Sequence, residues 1–217
     1  MKTAGTTMAV LAVLALRPGV AAAERPSDTS LVLAGAGMAV PSYMAWVIIH
    51  ESSHMVFAKA YGATITRFQI WPGRHPINQR FYFGYVQWHG RMTTTERIIT
   101  GLAPKLPDLI YLGAYTALLG TGNFPDNDYA QLALTVFATG ALVDFSKDLV
   151  AFWTPADVNI ALRRAGLQSF WRQLPWRIIH VGLAAAAGYA VWKGYHKVFE
   201  DDAANAIAVV PVLSSRF

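Results

Sequence analysis

Trp46-Val47-Ile48-Ile49-His50-Glu51-Ser52-Ser53-His54-Met55-Val56-Phe57-Ala58 sets three ionisable side chains into five positions of an otherwise apolar run. A charged side chain at the centre of a membrane helix costs about 2.5–3.5 kcal/mol, so such a cluster needs a partner. The pattern is H-E-x-x-H. On a helix, positions i and i+4 share one face, so His50 and His54 can reach one zinc ion. Glu51, beside the first histidine, can then take a proton from a water at the metal, whose acidity zinc raises. The bland alternative is a cluster that pairs with other buried polar groups.

Composition agrees with lipid as the solvent for much of the chain. Of 217 residues, 54% are hydrophobic and only 14% charged, against about 25% charged in ordinary soluble domains. Mean hydropathy is +0.31. The net charge is +5, but the arginines fall between apolar stretches rather than on one basic face, which argues against nucleic-acid binding. The absence of cysteine excludes disulfides, thiolate metal sites and a cysteine nucleophile, so a metal must be held by His, Asp or Glu.

Lys2, the apolar run 8–16 and Ala21-Ala22-Ala23 predict a removed signal peptide over 1–23. The expected domain is 24–199, followed by a tail, 200–217. Four apolar stretches, near 31–61, 98–119, 129–153 and 176–198, have the length of membrane spans. The fold class expected is therefore all-α integral membrane, with four transmembrane helices. Arg67, Arg74, Arg80, Arg91 and Arg97 fall in one loop and Arg163, Arg164 and Arg172 in another, while Asp126 and Asp128 occupy the loop between. The positive-inside rule makes the arginine loops cytoplasmic. Within the first, residues 64–71 and 81–88 are rich in β-branched and aromatic residues and flank Pro72-Gly73-Arg74-His75-Pro76, which predicts a small β-hairpin at the membrane face. Thr154-Pro155-Ala156-Asp157 predicts the start of a short helix, with Thr154 as its cap and Gly166 at its end.

A catalytic zinc needs a third protein ligand. Counting depth along the stretches brings His50, Glu51, His54, Lys105, Asp108, Asp144, Lys147 and Asp148 into one polar layer within about two helical turns. Asp144 matches the depth of the two histidines best, and Asp148, one turn away, is its rival. Lys147 is expected to pair with one of them, and Lys105 with Asp108. His75, His89, His180 and His196 read as packed or interfacial side chains.

These features resemble the site-2 protease type of intramembrane zinc metalloprotease. That family carries H-E-x-x-H in one span, a third ligand Asp in a later one and often a β-structure after the zinc helix. Ala103-Pro104-Lys105-Leu106-Pro107-Asp108 resembles its G-P-x-x-N pattern, with Asp108 at the Asn position. The family's later L-D-G motif is absent. Pro155-Ala156-Asp157 matches only a fragment of it, which makes Asp157 a third candidate ligand by analogy. The resemblance implies Zn2+ at His50, His54 and an aspartate, Glu51 as general base, and a transmembrane protein or peptide as substrate. It also implies a bacterial inner (plasma) membrane setting with the site toward the cytoplasm. A catalytically silent metal-binding scaffold and an ion-conducting protein are the competing expectations. Oligomeric state is not readable from the sequence.

Overall fold

The computed structural model describes residues 25–77, 79–149 and 156–199. The expected signal peptide, the tail, Thr154 and Pro155 lie outside the described residues. The molecule is mainly helical. Helix α1 is Asp28–Ala60, followed by strands β1 (Thr64–Gln69), β2 (Gly73–Arg74), β3 (Phe81–Tyr82) and β4 (Tyr85–His89). Then come α2 (Thr94–Leu102), α3 (Lys105–Gly120), α4 (Asp128–Ser146) with a 3-10 turn at Lys147–Leu149, α5 (Asp157–Arg164) and α6 (Phe170–Phe199).

Among the described residues, three helices are long and apolar enough to cross a membrane: α1, α4 with its 3-10 turn, and α6. The fourth expected span, 98–119, is instead divided between α2 and α3. The cause is local. Pro104 has no N–H to continue the ladder of α2, and the chain turns through Ala103 and Pro104 before α3 begins. The 16 residues of α3 rise about 24 Å, short of a hydrocarbon core of about 30 Å.

Helix α4 is the hub and packs against α1, α3 and α6. Its alanines Ala138 and Ala141 are fully buried against Trp46, Leu112, Tyr115 and Val191. Small side chains let the helices approach closely. Gly140 lies directly under the Trp46 ring, whose Nε1 donates to the Phe137 carbonyl at 2.8 Å. On α6, Gly194 sits against the Tyr115 hydroxyl, which is 3.0 Å from Thr135 Oγ1.

After α1, Gly62 (φ +78°) takes the left-handed conformation that reverses the chain, and its N–H caps the Lys59 carbonyl at 2.9 Å. Strands β1 and β4 pair antiparallel, from Thr64 with His89 to Gln69 with Tyr85, and β2 with β3 extend the hairpin. The expected hairpin is therefore present. It runs back beside the helix. The Phe83 ring packs edge-on to Tyr43 at 5.7 Å, and Tyr43 is near the middle of α1.

Gly194→Ala should force Tyr115 off Thr135 and cost about 1–3 kcal/mol, as overpacking does. Thermal melting of the purified protein in detergent should show a lowered midpoint. Gly113→Ala, at a position with no atom within 4 Å, should show none.

Candidate metal centre

His50, Glu51 and His54 are all buried on α1. The two imidazole rings stand edge to face, 5.0 Å apart between centroids. The first residue of α5, Asp157, brings its Oδ2 to 3.1 Å from His50 Nε2 and 3.4 Å from His54 Nε2. Among the described residues, His50, His54 and Asp157 form the cluster whose donor atoms are close enough to share one ion.

The outer ring nitrogens settle the tautomers. His54 Nδ1 lies 2.7 Å from the Thr100 carbonyl, which can only accept, so Nδ1 carries the proton and Nε2 keeps its lone pair. His50 Nδ1 lies 2.8 Å from Asp144 Oδ2 and donates to that carboxylate. Both Nε2 atoms therefore face Asp157 Oδ2. With both rings neutral, these three donor atoms are placed so that one cation could bind all of them. Tetrahedral ligands at zinc distances lie about 3.3 Å apart, which the 3.1 and 3.4 Å separations match.

Asp157, the analogy-based candidate, thus shares the inner face of the two imidazoles, and the two depth-based candidates do not. Asp144 reaches His50 from the opposite side of the ring. A carboxylate there fixes ring orientation and raises the basicity of Nε2. Asp148 points elsewhere: its Oδ2 is 3.0 Å from Lys105 Nζ, and it is fully buried. Counting depth along a helix gives height but not the side from which a carboxylate arrives. The expected cap at Thr154 also differs, since α5 starts at Asp157 with Ala156 in the cap position and no side-chain cap bond. Gly166 ends that helix as expected, with φ +87°.

The remaining members of the polar layer hold α4 in place. The last carbonyls of a helix lack partners and carry partial negative charge. Lys105 Nζ donates to the Asp144 carbonyl at 2.6 Å, Arg177 to that of Asp148 at 2.7 Å, and His180 Nε2 to that of Phe145 at 2.9 Å. Lys147 Nζ pairs with Asp144 Oδ1 at 2.7 Å, as expected. Lys105 approaches Asp108 only to 3.8 Å, so the expected pair is secondary to its hold on α4.

Two supports escaped the sequence reading. Thr100 would normally bond the N–H four residues on, but that residue is Pro104, which has none. The proline releases the carbonyl that orients His54. The Thr-x-x-x-Pro spacing was the available signal. The second is Gly84, where a Cβ would meet Val47 Cγ1 at 2.6 Å and Glu51 Cγ at 3.0 Å. Only glycine lets the hairpin lie against Val47 and Glu51 on α1, and nothing in the local sequence announces this.

A cavity of about 1210 Å³ opens onto His50, Glu51, His54 and Asp157 and follows α1 from Leu31 to His54. Its hairpin wall comes from residues 80–88 and includes none of β1. Compared with known proteins, the chain matches no family model, no curated protein and no solved structure.

Pro104→Ala should supply the N–H that competes for the Thr100 carbonyl. With a hydrogen bond worth about 1 kcal/mol, the His54 tautomer population should shift several-fold toward Nε2–H. Nitrogen-15 NMR of labelled His54 reads this directly.

Proposed function

We propose that this chain is a membrane-embedded, zinc-dependent endopeptidase of the site-2 protease kind, with His50, His54 and Asp157 as metal ligands and Glu51 as general base. The observation that carries the reading is the convergence of His50 Nε2, His54 Nε2 and Asp157 Oδ2 on one point beside Glu51.

A bound zinc ion would polarise the scissile carbonyl and make a neighbouring water more acidic. Glu51 takes a proton from that water as its oxygen bonds to the carbonyl carbon. The same carboxyl then returns the proton to the amide nitrogen as the C–N bond breaks, releasing a free amine and a carboxylate. Asp144 and the Thr100 carbonyl keep both imidazoles turned toward the reacting centre throughout.

The substrate fits the cavity as a membrane segment. From Leu31 to His54 the cavity follows 24 residues of α1, a rise of about 35 Å, comparable with the hydrocarbon thickness of about 30 Å. A helix hides its own carbonyls, so the segment must be extended where it is cut. Strand β4 borders the cavity and β1 does not, so the free edge of β4 is positioned to take up the unwound backbone as an added strand. The arginine-bearing elements α2 and α5 at the metal end support a site toward the cytoplasmic side of the bilayer.

Two measurements test this reading. Asp157→Asn should weaken zinc binding by about 100-fold or more in chelator competition, while Asp144→Asn should cost about 10–100-fold, the usual effect of losing an orienting partner. Equal metal affinity in Asp157→Asn and the parent chain removes Asp157 from the site. Glu51→Gln should retain stoichiometric zinc yet lose about 100-fold or more of peptide cleavage in proteoliposomes, in line with removal of a general base. Zinc bound by the parent chain with no cleavage of any membrane peptide would favour the silent scaffold instead.

A further inference from the structure

Part of the cavity wall is built by α2 and α5. On α5, Asp157, Ile160 and Arg164 line the cavity, and on α2, Arg97 and Gly101 do so. These spacings of three, four and seven put each set on one helical face. The two helices pack together without a gap at Gly101, whose Cα side faces Ala161 and the Asp157 carbonyl at about 4 Å.

Arg97 and Arg164 are therefore brought side by side at the rim. Arg164 NH1 comes within 3.5 Å of the Arg97 carbonyl, and Arg97 Nε donates to the Met92 carbonyl at 3.2 Å. Among the described residues neither guanidinium has an acidic partner. The nearest acid on α2, Glu96, is engaged with the Thr93 N–H at 2.7 Å in a capping box. Partial burial and then the charge of Arg97 push the Arg164 guanidinium below its ordinary value. Two like charges held together at a cavity mouth are destabilising alone and favourable once an anion joins them.

We propose that Arg97 and Arg164 form a clamp for a carboxylate side chain on the peptide segment that enters the cavity. The proposal deepens the peptidase reading and rests on it. Position follows from the helix. Arg164 is seven residues beyond Asp157, a rise of about 10 Å along α5. An extended peptide covers that distance in about three residues. The preferred substrate thus carries Asp or Glu about three residues from the scissile bond, on the side that leaves the bilayer. Planar guanidinium groups suit carboxylate recognition, and a pair of them excludes a lysine at the same place.

The test uses the full chain in phosphatidylcholine nanodiscs, with synthetic membrane-spanning Leu/Ala/Gly peptides as the probe. The peptides bear an acidic, an amide or a lysine flank. Binding is read by fluorescence anisotropy in the Glu51→Gln protein, so that it does not depend on turnover. The acidic flank should bind about tenfold tighter than the amide flank, and the difference should shrink with salt. Arg97→Gln with Arg164→Gln should erase it, and Arg97→Glu with Arg164→Glu should transfer it to the lysine flank. Zinc content and melting midpoint confirm that each variant is folded. Equal binding of acidic and amide flanks, or an acidic preference that survives in the double Gln variant, overturns the clamp. So does an acidic preference abolished by a small fraction of phosphatidylglycerol, which assigns the arginines to lipid headgroups. Cleavage by the parent chain regardless of flank removes the clamp and leaves the peptidase. A flank preference in binding without cleavage of any peptide removes the peptidase and leaves the clamp.

Discussion

His50 is held on both sides by carboxylates, with Asp144 at Nδ1 and Asp157 at Nε2, and the polar interior is arranged around that constraint. The imidazole cannot rotate without breaking its charge-assisted hydrogen bond to Asp144 and moving Nε2 away from Asp157. Each acid belongs to a different element. Fixing one ring therefore fixes the end of α4 and the start of α5 relative to α1. Asp144 is itself secured by Lys147 on its side chain and by Lys105 on its carbonyl. The result is a buried ionic layer that no single helix could stabilise.

This explains why residues remote from the chemistry carry polar groups. Arg177 and His180 on α6 bond to carbonyls at the end of α4, where the helix tightens into a 3-10 turn and its last acceptors need donors. Gln173, one turn earlier on α6, reaches Asn159 on α5 at 3.4 Å and the Leu167 carbonyl at 2.9 Å. The layer therefore extends from α3 through α4 and α6 to α5, the helix that delivers Asp157. In an apolar medium such links are held because each broken one leaves an uncompensated polar group.

The hairpin adds a second kind of constraint, one of shape. Its backbone lies against Val47 and Glu51 only because residue 84 lacks a side chain. That contact closes one wall of the cavity and leaves the edge of β4 facing it. The wall from α2 and α5 carries Arg97 and Arg164, whereas the hairpin wall is largely aromatic, with Phe81, Tyr85 and Trp88.

The sequence by itself determined that the chain is mainly helical and apolar, that a hairpin follows the first helix, and that His50, Glu51 and His54 share one face. Those features follow from local periodicity, turn residues and the i, i+4 spacing. The tertiary structure decided three things that depend on direction rather than spacing. It split the second apolar stretch at Pro104, because a missing N–H matters more to a helix than mean hydropathy does. It folded the hairpin alongside α1, because Gly84 permits contact that no pattern of alternation encodes. It also brought Asp157 rather than Asp144 to the inner face of the imidazoles. Depth along a helix is a one-dimensional quantity, whereas ligation depends on which side of a ring the carboxylate approaches, and only packed helices fix that side.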